Sequence, residues 1–390
     1  MKKKLLVILP RIPYPLEKGD KLRAFYQIKE LSKNWDIILC ALNDQKTHPD
    51  AFNILKPFCS QLFFFKIPKY AILINLFLNI LSKKPFQVAY FLHEPIKKKI
   101  HKLFYSEKPD FIYCQLIRTA CYAFDLPARK IIDFQDCFST NIERRKSVSP
   151  WYLRPLLSIE QQRVFRFESF VFDNFNGHTI IAEPDREKTP VQNKNNIAIV
   201  PNGVNFEYFS PDSTMQKKDF VLFTGNMNYP PNVKSAEFLA KEIMPLVWKE
   251  KPNFKLVLAG ANPAAKVKNL ASDSVVVTGW VDDMRLYYNE SRIFIAPMQI
   301  GTGLQNKLLE AMAMNLPCIT SPLANQPLGA IHEKHILIGN SALEYAHQIV
   351  SLINNPDWAN SIANEGYMFV KQNFDWEAMN RKLEKVILNV

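Results

Sequence analysis

None of the six cysteines (Cys40, Cys59, Cys114, Cys121, Cys137 and Cys318) stands in a C-x-x-C pair. That pattern excludes a sequence-encoded disulfide framework and the usual zinc ribbons and fingers. Several of the thiols sit inside apolar runs, where a buried reduced cysteine is the expected state, and reduced thiols suit the cytosol. The seven histidines show no metal-binding spacing, and no Asp-x-Asp pair is present. No metal and no cofactor is therefore expected. Long apolar runs are missing too. Leu5–Leu9 ends at Pro10, too early for a signal-peptide core, and Ala71–Leu81 is far too short to span a bilayer. No repeat of 20–50 residues points to a solenoid. No helix-turn-helix, zinc-finger or RNP signature accompanies the basic charge, so nucleic acid is not an expected partner.

Short β-rich runs alternate with helical patterns along the 390 residues. The expected strands of the first half are Leu5–Leu9, Asp36–Leu42, Leu62–Ile67, Phe111–Gln115, Lys130–Phe134, His178–Ala182 and Ile197–Val200. Those of the second are Phe220–Thr224, Lys255–Ala259, Val275–Thr278, Ile293–Pro297, Pro317–Thr320 and Ile336–Ile338. Most are apolar on both faces, as strands covered by helices on two sides must be. Helical patterns cover Lys21–Lys33, Asn232–Lys249, Gly303–Met314 and Ala342–Asn354. Such alternation predicts parallel α/β sheets. It restarts after the polar stretch Pro201–Lys218. The expected architecture is thus two doubly wound, Rossmann-like domains: 1–200, then 201–372, with a closing helix over 373–390. Ligands of such sheets bind beyond the carboxyl ends of the strands.

Charge divides along the same line. Residues 1–200 hold 32 Lys and Arg against 19 Asp and Glu, whereas 201–390 hold 17 against 18. A basic first half suits an anionic partner, or it is a solubility charge spread over a solvated face. The segment Lys69–Phe104 pairs apolar clusters with Lys83, Lys84, Lys97, Lys98 and Lys99. That combination suits either an anionic membrane surface or acceptor, or core-facing apolar residues beside solvated lysines. Trp151–Phe175, with arginines among aromatics, reads in the same two ways.

The stretch Ile293–Ser321 is the richest in chemistry. A strand enters a loop holding Gly301, Thr302 and Gly303, and a helix follows from about Leu304. Small residues let backbone N–H groups approach an anion, and a helix N-terminus adds positive potential. Lys307 and Glu310 share roughly one helix face: a cation for phosphates and a carboxylate for sugar hydroxyls, or an ordinary surface ion pair. Asp136 stands at the carboxyl end of a strand. A carboxylate there can orient or deprotonate a hydroxyl, or cap the helix that follows.

The run Lys307-Leu308-Leu309-Glu310-Ala311-Met312-Ala313, with Asn315-Leu316-Pro317 and Thr320-Ser321 behind it, resembles the hallmark of the retaining glycosyltransferases of family 4, whose fold is GT-B. Val200-Pro201-Asn202-Gly203-Val204 with Phe209 is similar to that family's interdomain segment, and Phe374-Asp375-Trp376 to the entry of its last helix. The resemblance implies two Rossmann-like domains facing across a cleft. It implies a nucleoside diphosphate sugar bound mainly by the second half, near Gly225, Gly260, Val281, Gly301, Thr302, Gly303, Leu304, Lys307 and Glu310. Gly19, in Pro13-Tyr14-Pro15…Gly19-Asp20-Lys21, would approach the donor phosphates from the first half. Lys307 and Asp136 would carry catalytic roles.

The expected reaction is sugar transfer, with retention, to a glycan or lipid-linked acceptor in cell-surface polysaccharide or glycolipid synthesis. The expected location is the cytoplasm, at the inner face of the membrane. Rival readings are a nucleotide-sugar epimerase and a catalytically weak relative that binds anionic glycans or lipid-linked sugars. Three departures from the family pattern stand out. Thr302 occupies the place of a frequent Glu, no cation follows Gly225 until Lys234, and Gln135 stands where a His often precedes Asp136.

Overall fold

In the computed structural model, which describes residues 2–300 and 303–390 and the side chains of all of these but Val148, the chain forms two compact units. One contains residues up to Pro201 together with Trp376–Val390, and the other is Asn202–Asp375. Each is built on a parallel sheet with helices on both faces.

The first sheet comprises β1 (Lys3–Leu9), β2 (Trp35–Asn43), β3 (Gln61–Lys66), β4 (Phe111–Gln115), β5 (Arg129–Gln135), β6 (Gly177–Ile180) and β7 (Ile197–Ile199), in the order β3-β2-β1-β4-β5-β6-β7. Alternate side chains of β1 enter two separate cores: Leu6 and Ile8 on one face, Leu5, Val7 and Leu9 on the other. This is why the run reads as continuously apolar. The C-terminal helix Trp376–Leu388 closes the second of these cores with Leu383 and Ile387. Trp376 stacks on Tyr26 at 5.1 Å, and the Trp35 indole donates to Glu384 at 2.9 Å.

The second sheet comprises β8 (Phe220–Thr224), β9 (Lys255–Ala259), β10 (Val275–Gly279), β11 (Ile293–Ala296), β12 (Cys318–Thr320) and β13 (Leu337–Ile338), in the order β10-β9-β8-β11-β12-β13. Two details differ from the sequence expectation. The helical stretch from Asn232 to Lys249 is interrupted by a π turn over Leu239–Ile243. Pro245 lies just past that turn and lacks the N–H that a regular ladder needs. The helix expected from about Leu304 begins at Asn306, because Gln305 is still extended and its side-chain amide donates to the Gly303 carbonyl.

Strand order places the crevices. In each sheet the chain winds outward in opposite directions from a central pair, β1/β4 in the first and β8/β11 in the second. Loops at the carboxyl ends of such a pair diverge and leave room for a ligand. In the second unit these loops are residues 225–229 and, among the described residues, 297–300 and 303–305.

Candidate functional site

The second unit carries the site with the tightest construction. β8 ends at Thr224 and β9 at Ala259, and each runs straight into a glycine. Gly225 (φ +150°) and Gly260 (φ +140°) adopt backbone conformations that other residues rarely reach. A Cβ on Gly260 would lie 1.9 Å from the Gly225 carbonyl oxygen, so the two loops touch backbone to backbone. A Cβ on Gly225 would meet the Asn232 amide at 2.6 Å and the Lys307 ammonium at 3.1 Å. These glycines make the floor on which the lysine rests.

Lys307 is the second residue of the helix Asn306–Ala313, not a residue one turn in. Its Nζ donates to Oδ1 of Asn232 at 2.6 Å and lies 4.4 Å from the centre of the Phe223 ring. Burial pushes the ammonium down to about 7, and the nearby Glu310 only partly offsets this. A lysine that donates to a neutral amide rather than a carboxylate, at a helix N-terminus, is held ready for an anion.

Glu310, one turn further on, accepts from the Tyr288 hydroxyl at 2.9 Å, and that hydroxyl lies 3.0 Å from Thr224 Oγ1. Burial raises the Glu310 carboxyl above its ordinary range. Lys307 and Glu310 do not form an ion pair, so the surface-pair reading fails: each has its own neutral partner and both are largely buried.

Val281 lies in the loop between β10 and the helix Met284–Glu290, beside the exposed Trp280. Asp283 caps that helix and grips Arg285, whose guanidinium lies 4.3 Å over the Tyr208 ring. Gly303 has φ +86° and Leu304 packs on the core of the unit. Gly301 and Thr302 lie outside the described residues. The structure thus brings Gly225, Gly260, Lys307 and Glu310 together. Sequence reasoning missed Asn232, Tyr288 and Thr224. Asn232 was legible only as part of a loop lacking cations, and nothing local marked Tyr288.

In the first unit, Arg23 and Asp133 form a fully buried bidentate pair (2.7 and 3.0 Å), to which Thr179 donates at 2.8 Å and Tyr113 at 3.0 Å. Removing one partner of such a pair leaves an uncompensated buried charge. The strand carrying Asp133 then bulges, and Gln135 takes a positive φ of 62°. Asp136 follows at the strand's carboxyl end. It does not cap the next helix, Phe138–Val148: the buried Glu168 does so, accepting from the Phe138 N–H at 2.7 Å and from the Ser139 hydroxyl at 2.6 Å. Burial raises Asp136 to about 7, with the carboxylate of Asp185 adding to the effect and Arg23 opposing it. Asp185 is itself buried, and both its oxygens lack a hydrogen-bond partner.

Asp20 lies in the first turn of the helix Gly19–Leu31 and pairs with Arg11. Gly19 opens that helix with open space where a side chain would be. Nearby, a cavity of about 300 Å³ is lined by Arg11, Tyr14, Glu17, Lys21, Lys46 and His48, among others. Lys97 is paired with Asp125 at 2.6 Å, while Lys83, Lys84, Lys98 and Lys99 are exposed. The Lys69–Phe104 segment is not one surface. Val88, Phe91, Ile96, Ile100 and Phe104 face the core, and only its first part leaves apolar residues in solvent. Among the described residues no group of three or more His, Cys, Asp or Glu could hold a metal ion, and no helix is long and apolar enough to cross a membrane.

This is the architecture of the GT-B glycosyltransferases: two parallel-sheet, Rossmann-like domains of seven and six strands. Residues 218–355 match the family model of the group 1 glycosyl transferases. Sucrose-phosphate synthase from Thermosynechococcus elongatus superposes with a TM-score of 0.72 over 99% of both chains at 15% identity. HepE from Anabaena, solved with UDP and glucose, gives 0.71 over 99% of both chains at 12% identity. In sequence, an uncharacterized 44.6 kDa protein from a cps region of Klebsiella pneumoniae is 20% identical over 95% of this chain and 96% of its own length.

Proposed function

We propose that the protein is a retaining glycosyltransferase that uses a nucleoside diphosphate sugar and a glycan or lipid-linked acceptor. The single observation that carries this is the seating of Lys307. Its ammonium is desolvated on a floor of two positive-φ glycines at the first turn of a helix. A diphosphate supplies the missing counter-charge. Support for the nucleotide comes from the UDP-bound structural neighbour, and for polysaccharide synthesis from the cps-region relative.

In the transfer, the bond between the sugar's anomeric carbon and the diphosphate oxygen breaks. The acceptor hydroxyl oxygen bonds to that carbon on the same face, and the nucleoside diphosphate leaves. Lys307 and the backbone N–H groups of the helix's first turn neutralise the departing charge, with no metal ion held by the protein. Glu310 accepts hydrogen bonds from the ribose hydroxyls, held in place by Tyr288. Val281 belongs to the segment beside the base. In the first unit, Asp136 suits removal of the acceptor hydroxyl proton, because a carboxyl near 7 is a competent base at neutral pH. Gly19 leaves the start of its helix open to a ligand, and the cavity at Arg11 and Lys21 suits an acceptor.

The test is turnover. Release of nucleoside diphosphate from a panel of nucleotide sugars, with EDTA present and a polyprenyl-linked or glycan acceptor added, is expected for one donor. Binding of donors without any turnover would instead support the weak-binder reading. Activity that vanishes in EDTA and returns with Mg²⁺ would overturn the leaving-group chemistry.

A further inference from the structure

Two segments of the first unit hold large apolar side chains out in solvent. On the helix Lys69–Leu78 and the turn Asn79–Leu81, Leu73, Phe77 and Leu78 are 67–73% exposed and Leu81 is 97% exposed. On the turn Trp151–Leu153 and the helix Arg154–Asn174, Trp151 and Tyr152 are 79% and 63% exposed, and Leu156 and Ile159 are half-exposed. Arg163 joins the two segments. Its guanidinium donates to the Ile80 carbonyl at 2.8 Å and lies 5.1 Å over the Phe86 ring. Ile159 and Leu156 stand four and seven residues before Arg163, on the same helical face, so they continue the apolar surface from the turn. A contiguous apolar surface of this kind is unusual on a monomer and marks an interaction face.

The charge around it is predominantly positive. Residues 66–93 contain Lys66, Lys69, Lys83 and Lys84, residues 144–159 contain Arg144, Arg145, Lys146 and Arg154, and neither stretch has an Asp or Glu. Glu143 and Glu160 flank the second stretch at its two ends, and Glu160 accepts from the Phe86 N–H at 2.8 Å. Lys69, Lys83, Lys84, Arg145 and Arg154 are exposed. A second copy of this chain would bring the same positive charges face to face, which opposes self-association. The apolar side chains are largely exposed, as insertion into a fluid layer requires. Trp151 and Tyr152 are the residue types that settle at a headgroup boundary.

We propose that this face docks the protein on an anionic lipid bilayer. Leu73, Phe77, Leu78 and Leu81 enter the headgroup–acyl boundary, and the surrounding lysines and arginines meet lipid phosphates. The surface is distinct from the nucleotide site and needs no assumption about the reaction. It also moves the membrane-facing region expected from Lys97–Lys99 to the tip around Leu81.

Vesicle sedimentation tests this. The full chain is mixed with phosphatidylcholine vesicles, or with vesicles containing about 30% phosphatidylglycerol, in about 0.1 M salt, where charge attraction still acts over roughly 10 Å. Partitioning is expected to be at least about tenfold stronger on the anionic vesicles and to weaken as salt rises. A blue shift of tryptophan fluorescence should accompany it and be absent in Trp151→Phe. The triple variant Phe77→Ser, Leu78→Ser, Leu81→Ser and the pair Lys83→Glu, Lys84→Glu should each lower partitioning by at least about tenfold. Both should melt at the wild-type temperature, because the altered side chains are exposed. Equal partitioning onto both vesicle types, or onto neither, would overturn the proposal. So would a wild-type dimer in light scattering that the serine variant disperses.

Discussion

The Lys307 ammonium donates to the Asn232 side-chain oxygen at 2.6 Å, a neutral partner where a buried cation would ordinarily find a carboxylate. Glu310 is one turn away but is held by Tyr288 instead. The site therefore contains a desolvated cation whose charge the protein leaves largely uncompensated. Such a group is costly to the fold and useful to an anionic ligand.

That state makes donor binding depend on pH in a definite direction. Free Lys307 is depressed to about 7, and a bound diphosphate raises it again. Below about pH 7 the lysine is already charged and affinity is flat. Above it, binding must take up a proton, and affinity falls towards tenfold per pH unit. With a nucleotide sugar, whose diphosphate does not titrate in this range, calorimetry between pH 7.5 and 9 should show a loss of about three- to tenfold per unit. A constant affinity across that range would mean that Lys307 does not meet the phosphates.

Glu310→Gln keeps an oxygen to accept from the Tyr288 hydroxyl, so the fold should tolerate it. We expect the melting temperature to stay within about 2–4 °C, the equivalent of roughly 1 kcal/mol in a domain of this size. Donor affinity should fall by about 1–3 kcal/mol, because a carboxylate accepts ribose hydroxyls more strongly than an amide. Unchanged donor titrations would remove Glu310 from the ribose.

The glycines separate structure from contact. Gly260→Ala places a methyl 1.9 Å from a backbone oxygen at a positive φ, and the close atoms all belong to the Gly225 backbone, which cannot swing away. It should cost about 2–4 kcal/mol and lower the melting temperature of the second unit. Gly19→Ala meets nothing within 4 Å, so its melting temperature should be that of the wild type. A fall in turnover in that variant would then report ligand approach, and full activity would show that no ligand comes close.

Both sheets were legible because most of their strands are buried on two faces and written as unbroken apolar runs. Phe111–Gln115, Phe220–Thr224 and Lys255–Ala259 have the expected ends. What the sequence hid were decisions made by tertiary partners. Gln305 delays the helix before Lys307 by hydrogen bonding back to Gly303. Glu168, thirty residues away on another helix, takes the capping role that local reading offered to Asp136. Lys69–Phe104 has one composition but two fates, since only packing decides which apolar residues the core receives. Asn232 and Tyr288 carry no local signal, because each acts only through a partner distant in sequence.

The central claim, that the second unit binds a nucleoside diphosphate through Lys307, is tested most directly by calorimetric titration of UDP and GDP into the wild type and Lys307→Met at pH 7. One nucleotide should bind the wild type. The variant, folded by its melting curve, should bind it about 1–3 kcal/mol more weakly, about 5- to 150-fold, the usual worth of a charge-assisted contact. Equal affinity in the two proteins, or no binding of either nucleotide to the wild type, would contradict it.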